Sequence, residues 1–281
     1  MRYSARVNRI KPFIAFSHSA SPATVQQVPP CRLHNYICPP WRRIETQVFI
    51  RRFFYLMPCL NLLCSHYRMS VSEHPTLLLA NGAFPAHAYP RSLLDTASRI
   101  VCCDGAADRL IAQTQRIPDW IVGDGDSLSP ATKARFADRL VVLAEQETND
   151  LSKAFRFCLS HGWNTLTILG LTGAREDHTL ANIALLLDFA NQATITAYTD
   201  HGQFIPTRGG TYPAHPGQQI SLFAMDPSIR VSSHGLKYPL VDLSLARWWT
   251  AALNEAQSTS FHLTLSHGQV LIFQSYTTEE T

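Results

Sequence analysis

From Thr76 onward the chain repeats one pattern: a short apolar or β-branched run, a cluster of Gly and Asp, then an apolar stripe at helical spacing. The runs at 76–80, 99–103, 120–122, 140–143, 165–169 and 194–198 predict strands. Between most of them lie helical patterns. Leu151, Ala154, Phe155, Cys158 and Leu159 recur at one helix face, as do Leu180, Ile183, Ala184 and Leu187. Near-continuous apolar strands alternating with helices dictate a mostly parallel sheet covered on both faces. After about residue 202 the texture changes to frequent Gly and Pro with short β-rich runs at 219–224, 230–232, 261–265 and 270–273. That part predicts an antiparallel β-sandwich, with one helical pattern near 244–252. The expected division is an α/β domain over 69–202 and a β-sandwich domain over 203–281.

Charge separates a third segment from these two. The formal charge of the 281 residues is +3, yet residues 1–68 hold ten Lys/Arg and one acid, Glu45. The remaining residues hold fourteen Lys/Arg and twenty acids. Seven of the seventeen prolines and four of the seven cysteines also fall in 1–68, where no helical or alternating period is sustained. A disordered basic extension or a mis-assigned start fits this composition, and Met69 reads as a native start. An organelle leader and a nucleic-acid-binding tail are alternatives, but Pro-rich stretches suit the first poorly and no aromatic–basic repeat supports the second. The apolar run at 53–64 is too short to span a bilayer. Cys102, Cys103 and Cys158 read as reduced core residues of a cytoplasmic protein, the first two facing opposite sides of a strand.

The chemistry is signalled just beyond each strand. Asn81-Gly82, Asp104-Gly105, Gly123-Asp124-Gly125-Asp126-Ser127, the stretch with Gln146, Thr148 and Asp150, and the loop Gly170 to Gly173 with Arg175 and Asp177 all lie at strand ends. In an open α/β sheet those ends form one ligand-binding rim. Asp104, Asp124, Asp126, Asp150 and Asp177 gathered there would repel, by roughly 4 kcal/mol per pair at 4 Å with an effective dielectric near 20. Bound Mg²⁺ relieves this and shares the carboxylates with substrate phosphates. Lys153 and Arg175 would grip phosphate oxygens. Metal, cationic clamps and glycine loops are the equipment of phosphoryl-type transfer.

Each residue also has a plain structural role available. The Gly-Asp stretch can be a turn, Thr148 or Asp150 can cap the helix from Leu151, and Asp177 the helix from His178. Asp150 and Lys153 can be a surface pair, and Arg175 a solvated loop charge. No P-loop lysine and no dinucleotide fingerprint is present. It is the joint occurrence at five strand ends that favours a site.

The segments CDGAADRL at 103–110, PDWIVGDGDSL at 118–128, QETNDLSKAF at 146–155 and LGLTGAREDHTLANI at 169–183 resemble those of the thiamine pyrophosphokinase family, as do SSHGLKYPL at 232–240 and LNEAQS at 253–258. The resemblance covers nearly all of 76–274 and none of 1–68. It implies an α/β domain, a C-terminal β-sandwich, and a homodimer with active sites at the subunit interface. It implies transfer of the pyrophosphoryl group of ATP to thiamine with Mg²⁺ required, and neither a nucleic-acid nor a membrane partner. By motif, Asp124, Asp126 and Asp150 would hold the metal. Those three with Lys153 and Arg175 would be catalytic. Asn81, Gly82, Asp104, Gly105, Ser127, Thr148, Gly170, Gly173 and Asp177 would contact ATP. Gln146 of one subunit with Ser233, Leu236, Tyr238 and Asn254 of the other would hold thiamine. Tyr238 stands where some members have Trp, and Leu253-Asn254 departs from the usual Ser-Asn pair. Trp248 and Trp249 read as packing or interface residues. A nucleotide- or thiamine-binding protein without catalysis, and another Mg²⁺-dependent phosphotransferase, are the alternatives. The retained acids and Lys153 count against the first, and the GLKYPL and Asn254 segments against the second.

Overall fold

Each of the six apolar runs becomes a strand in the computed structural model, which describes residues 75–276. The basic extension, its four cysteines and its apolar run lie outside the described residues. The first half runs β1 (Thr76–Leu79), α1 (Ala88–Thr96), β2 (Ile100–Cys103), α2 (Ala106–Gln113), β3 (Trp120–Gly123), α3 (Pro130–Arg135), β4 (Leu140–Val142), α4 (Asp150–Ser160), β5 (Thr165–Leu169), α5 (Glu176–Phe189) and β6 (Thr194–Tyr198). The second half is all β: β7 (Gly202–Thr207), β8 (Gly210–Pro213), β9 (Gln219–Phe223), β10 (Arg230–His234), β11 (Leu243–Ser244), β12 (Ala251–Glu255), β13 (Ser260–Leu265) and β14 (Val270–Ser275).

β1 to β6 are parallel, in the order β6-β5-β1-β2-β3-β4. The chain therefore winds outward from β1 to β4 and returns through α4 to β5 on the other side of β1. This reversal opens a crevice between the carboxyl ends of β1 and β5, the usual place for a ligand in such sheets. Alternation along the strands divides the burial between the faces. Leu78, Val101, Cys103, Val122 and Ile168 join α4 and α5 in one core. Leu77, Leu79, Ile100, Cys102 and Ile121 join α1, α2 and the residues Leu128 and Phe136 that flank α3 in the other. Each fully buried Leu, Ile or Val contributes about 1.5–3 kcal/mol. Cys102 and Cys103 thus do face opposite sides, and both are free and buried, as is Cys158.

The antiparallel half is less separate than the change of texture suggests. β7 pairs antiparallel with β6, so β12-β9-β14-β7 continue the parallel strands into one sheet of ten. A second sheet, β11-β10-β13-β8, faces this extension. Ile220, Leu222, Val231, Phe261, Leu263, Val270 and Ile272 fill the space between. On the opposite face Phe204 and Leu271 belong to the core beneath α4 and α5. The helical pattern at 244–252 is not a helix: β11 and β12 flank a turn there. Leu253 has φ +58, and the β12–β9 register shifts between Ala251 and Asn254. This irregularity scrambles the strand's alternation and hides it from a periodicity reading. Among the described residues no helix is long and apolar enough to cross a membrane.

Candidate active site

The rim at the β1/β5 crevice holds a cavity of about 440 Å³. Nine of the expected residues line it: Asn81, Gly82, Asp124, Ser127, Gln146, Thr148, Asp150, Lys153 and Arg175. Two turns form its back wall. Gly82 N–H donates to the Gly170 carbonyl at 2.8 Å and Ala83 N–H to that of Thr172 at 2.7 Å. The chain leaving β1 is thereby zipped to the chain leaving β5. Gly170 and Gly173, with φ +68 and +82, supply the left-handed turns this needs. They stand behind the wall rather than on it.

The acidic centre rests on β2, β3 and α4. Lys153 is 1% exposed, and its Nζ reaches Asp150 Oδ1 at 3.1 Å and Asp124 Oδ2 at 3.4 Å. It is no surface pair. Burial alone would pull the ammonium pKa down, but the bonds and charges of Asp150 and then Asp124 hold it above its ordinary value. Asp124 accepts the Asp126 N–H at 3.1 Å. That bond first, with Lys153 and the Gln146 side chain after it, keeps the Asp124 carboxyl below the usual range against the opposing effect of burial. Asp104 lies under both, fully buried, with one oxygen taking the Ser127 N–H at 2.8 Å. Burial, and then the charges of Asp150 and Asp124, push its pKa up against the Ser127 bond. The ligand oxygens of Asp104, Asp124 and Asp150 all lie within 4.8 Å of one another, a spacing that suits a metal ion. Gly105, the residue before α2, packs beneath Asn81 and Ser127, where a Cβ would come within 2.9 Å of each.

Two expected residues, Asp126 and Asp177, stand off the cavity lining. Asp126 is exposed and outside this carboxylate group, because Gly125 (φ +85) turns the chain away after Asp124. Asp177 forms a bidentate pair with Arg175, at 3.1 and 2.5 Å, beside the cavity mouth. It is not the cap of α5: that position is Arg175, which makes no side-chain capping bond. Nor does Thr148 cap α4. Asn149 does so, accepting from Ser152 N–H at 2.9 Å. Thr148 instead bonds Glu145, whose carboxylate gathers the Thr148 hydroxyl, the Thr148 and Glu147 N–H groups and Arg156. Led by the Thr148 hydroxyl, these donors bring the Glu145 pKa to about 2. Glu145 thus shapes the loop that carries Gln146.

A buried amide pair escaped the sequence reading. Asn149 Nδ2 donates to Asn182 Oδ1 at 2.9 Å, and Asn182 Nδ2 to the Leu171 carbonyl at 3.0 Å. This ties the start of α4 to α5 and to the loop after β5. The signal was there: an Asn before a helix, and a lone Asn inside the apolar run of α5.

The residues expected to hold thiamine are split. Gln146 is on the cavity, while Ser233, Leu236, Tyr238 and Asn254 lie in the β half and line no part of it. Three of them build a loop. Asn254 takes the Tyr238 N–H at 3.1 Å and donates to the Tyr238 carbonyl at 2.7 Å. Ser233 Oγ takes the Leu240 N–H at 2.9 Å, and Leu236 bridges to Ala256. The loop presents Tyr238, 61% exposed. Val241, Trp249 and Leu253 are also exposed, at 83%, 68% and 76%, so Trp249 does not pack inside this chain. Trp248 meets Phe223 edge-on.

Comparison with known proteins gives a consistent picture. Residues 90–198 match the family profile described as "Thiamin pyrophosphokinase, catalytic domain" and 202–273 the one described as "Thiamin pyrophosphokinase, substrate-binding domain". Over 169 residues the chain is 27% identical to Thiamin pyrophosphokinase 1 of Caenorhabditis elegans, covering 55% of this chain and 69% of that protein. Over 200 residues it is 29% identical to Thiamine pyrophosphokinase 3 of Oryza sativa subsp. japonica, covering 60% and 74%. Among solved structures, thiamin pyrophosphokinase from Candida albicans superposes with a TM-score of 0.60 at 20% identity, covering 72% of this chain and 90% of that one. The Bacillus subtilis structure gives 0.60 at 22% identity, covering 71% and 98%. These last two likenesses speak for the fold.

Proposed function

The chain belongs to the thiamin pyrophosphokinase family, and from that premise we propose how its residues divide the work of moving the pyrophosphoryl group of ATP to thiamine. The observation that carries the reading is the rim itself, where carboxylates, a buried ammonium and an exposed guanidinium converge on one cavity. A polyphosphate fits the turn of Gly170 to Ala174 and the first turn of α5, whose His178 and Thr179 line the cavity. Helix N-termini attract such anions. Arg175, exposed at the mouth, is placed to exchange Asp177 for phosphate oxygens. Lys153 reaches the site from beneath.

Mg²⁺ fits the carboxylates. Asp104, Asp124 and Asp150 carry more negative charge than Lys153 offsets, and their oxygen donors suit a hard cation. When bound it neutralises charge on the transferred phosphates. The chain's own groups do the rest. Asp124 and Asp150 fix the Lys153 ammonium toward the group in flight. The hydroxyl oxygen of thiamine bonds to the β-phosphorus while the bond from that phosphorus to the α–β bridging oxygen breaks. AMP leaves, and the hydroxyl proton passes to a carboxylate or solvent. The gain comes from alignment and charge stabilisation. With ATP, Mg²⁺ and thiamine present, AMP and thiamine diphosphate should appear in equal amounts. Nucleotide hydrolysis that ignores thiamine would sink this reading.

A second copy of the chain completes the thiamine site. Tyr238 is an aromatic face suited to a cationic thiazolium, it lines no part of its own chain's cavity, and Val241, Trp249 and Leu253 leave apolar surface exposed. Mixing Asp124→Asn with Tyr238→Ala chains tests this. Each alone should be weak, and co-refolded mixtures should regain activity, because one site of each mixed dimer then holds both native residues. No recovery, or a monomer in sedimentation, would refute the shared site.

A further inference from the structure

Resting on the pyrophosphoryl-transfer reading above, we propose that Asn182 is a positioning residue: with Asn149 it forms a one-way amide relay that sets the polyphosphate turn after β5 in line with Asp150 and Lys153. These two parts of the site stand on different strands. Asp150 and Lys153 belong to α4, which packs on β2 and β3. The turn of Gly170 to Ala174 leaves β5, on the other side of β1. Its backbone bonds run only to the chain leaving β1, from Gly82 and Ala83 N–H to the Gly170 and Thr172 carbonyls. Side chains make the link to α4.

The direction of the relay is fixed at one end. Asn149 caps α4, so its Oδ1 is committed to the Ser152 N–H at 2.9 Å and its Nδ2 is left to bond onward. That Nδ2 donates to Asn182 Oδ1 at 2.9 Å, which leaves Asn182 Nδ2 to donate to the Leu171 carbonyl at 3.0 Å. Asn182 and Leu171 are buried, so a break in the relay would strand a polar group in the interior. Three successive carbonyls of the turn are now taken, the outer two from β1 and the middle one from Asn182. The N–H groups of Thr172, Gly173 and Ala174 make no backbone hydrogen bond among the described residues, and such groups suit an anion. Both amides line the cavity, yet neither carries charge or a labile proton, so their contribution is placement. Asn149 directly precedes Asp150. One amide therefore sets both the start of α4 and its distance from the turn. In-line attack depends on that distance, since a misplacement of about 1 Å can cost on the order of 10²-fold in rate.

The test compares Asn149→Asp, Asn149→Thr, Asn182→Ala and the double variant Asn149→Asp with Asn182→Ala, each in the full chain. Aspartate and threonine both keep the cap, but only threonine keeps a proton to donate. Asn149→Asp and Asn182→Ala should each lower kcat about ten- to a hundredfold, with the KM for ATP within about threefold of wild type. Asn149→Thr should hold kcat within about threefold, because its hydroxyl both accepts and donates. The double variant should be no slower than the slower single, since one break opens the relay. Amide hydrogen exchange over 170–175, read by mass spectrometry without substrates, should rise in Asn149→Asp and Asn182→Ala and stay at the wild-type rate in Asn149→Thr. Equal kcat for the two Asn149 variants, losses that multiply in the double variant, or a raised KM for ATP at unchanged kcat would overturn the proposal. If Asn182→Ala does not fold, the contrast between Asn149→Asp and Asn149→Thr decides alone. Exchange is independent of turnover. Unchanged exchange in variants of an enzyme that makes thiamine diphosphate removes only this inference. The expected exchange ranking in a protein that makes none removes only the functional reading.

Discussion

Asp124→Asn should lower the turnover of thiamine by a thousandfold or more while leaving the melting temperature nearly unchanged. Two losses add. A neutral amide no longer binds the cation, and it no longer holds the Lys153 ammonium, now 3.4 Å from Asp124 Oδ2. Removing one preorganised charge-stabilising group typically costs about 10²–10³ in rate, and here a metal ligand goes with it. The fold has little at stake. An amide oxygen still accepts the Asp126 N–H, and Asp124 belongs to none of the three cores. Single-turnover chemistry beside a thermal melt separates the two effects. Turnover within tenfold of wild type would remove Asp124 from the site. A lowered melt with proportionate loss of activity would make its role structural.

The parallel half was legible because its strands are short, apolar and buried on both faces. Six strands fell within a residue or two of their expected ends. β7, β8, β11 and β12 were not. Gly202, Gly209 and Gly210 all adopt positive φ around β7 and β8, so the residues that make the strands possible are those that read as loop. Leu253 does the same for β12 by breaking its register with β9.

The site was legible at the level of strand ends and not at the level of side-chain direction. Lys153 and Asp150 at i, i+3 read equally as a surface pair, and only the depth of α4 beneath the rim decides otherwise. Asp104 was expected among the ATP contacts, because nothing in a sequence shows that a residue after β2 will take φ +39 and bury its carboxylate. Ser233, Leu236 and Asn254 were legible as a group, but in one chain their bonds go to the loop bearing Tyr238. A sequence shows which residues travel together and does not separate those that touch a ligand from those that shape the segment touching it.

Gly170→Ala should destabilise the fold by about 3–5 kcal/mol, near the upper end for a single substitution. The residue joins the two turns that make the back wall of the cavity. Its φ of +68 alone costs an alanine about 1–2 kcal/mol. The added Cβ would also stand 2.5 Å from the Ala80 carbonyl oxygen, a backbone atom with no rotamer to retreat into. Gly162 provides the control. Its φ is +73, and a Cβ there meets nothing within 4 Å, so Gly162→Ala should show the conformational cost by itself. Denaturant unfolding of both variants isolates the contact as their difference. Equal costs would mean that the wall yields and that the close approach is not needed. If the approach is needed, the fraction of Gly170→Ala that does fold should also bind ATP poorly. Its two turns, joined through the Gly82 and Ala83 N–H bonds, could relieve the clash only by parting, and parting them opens the crevice where the sheet reverses.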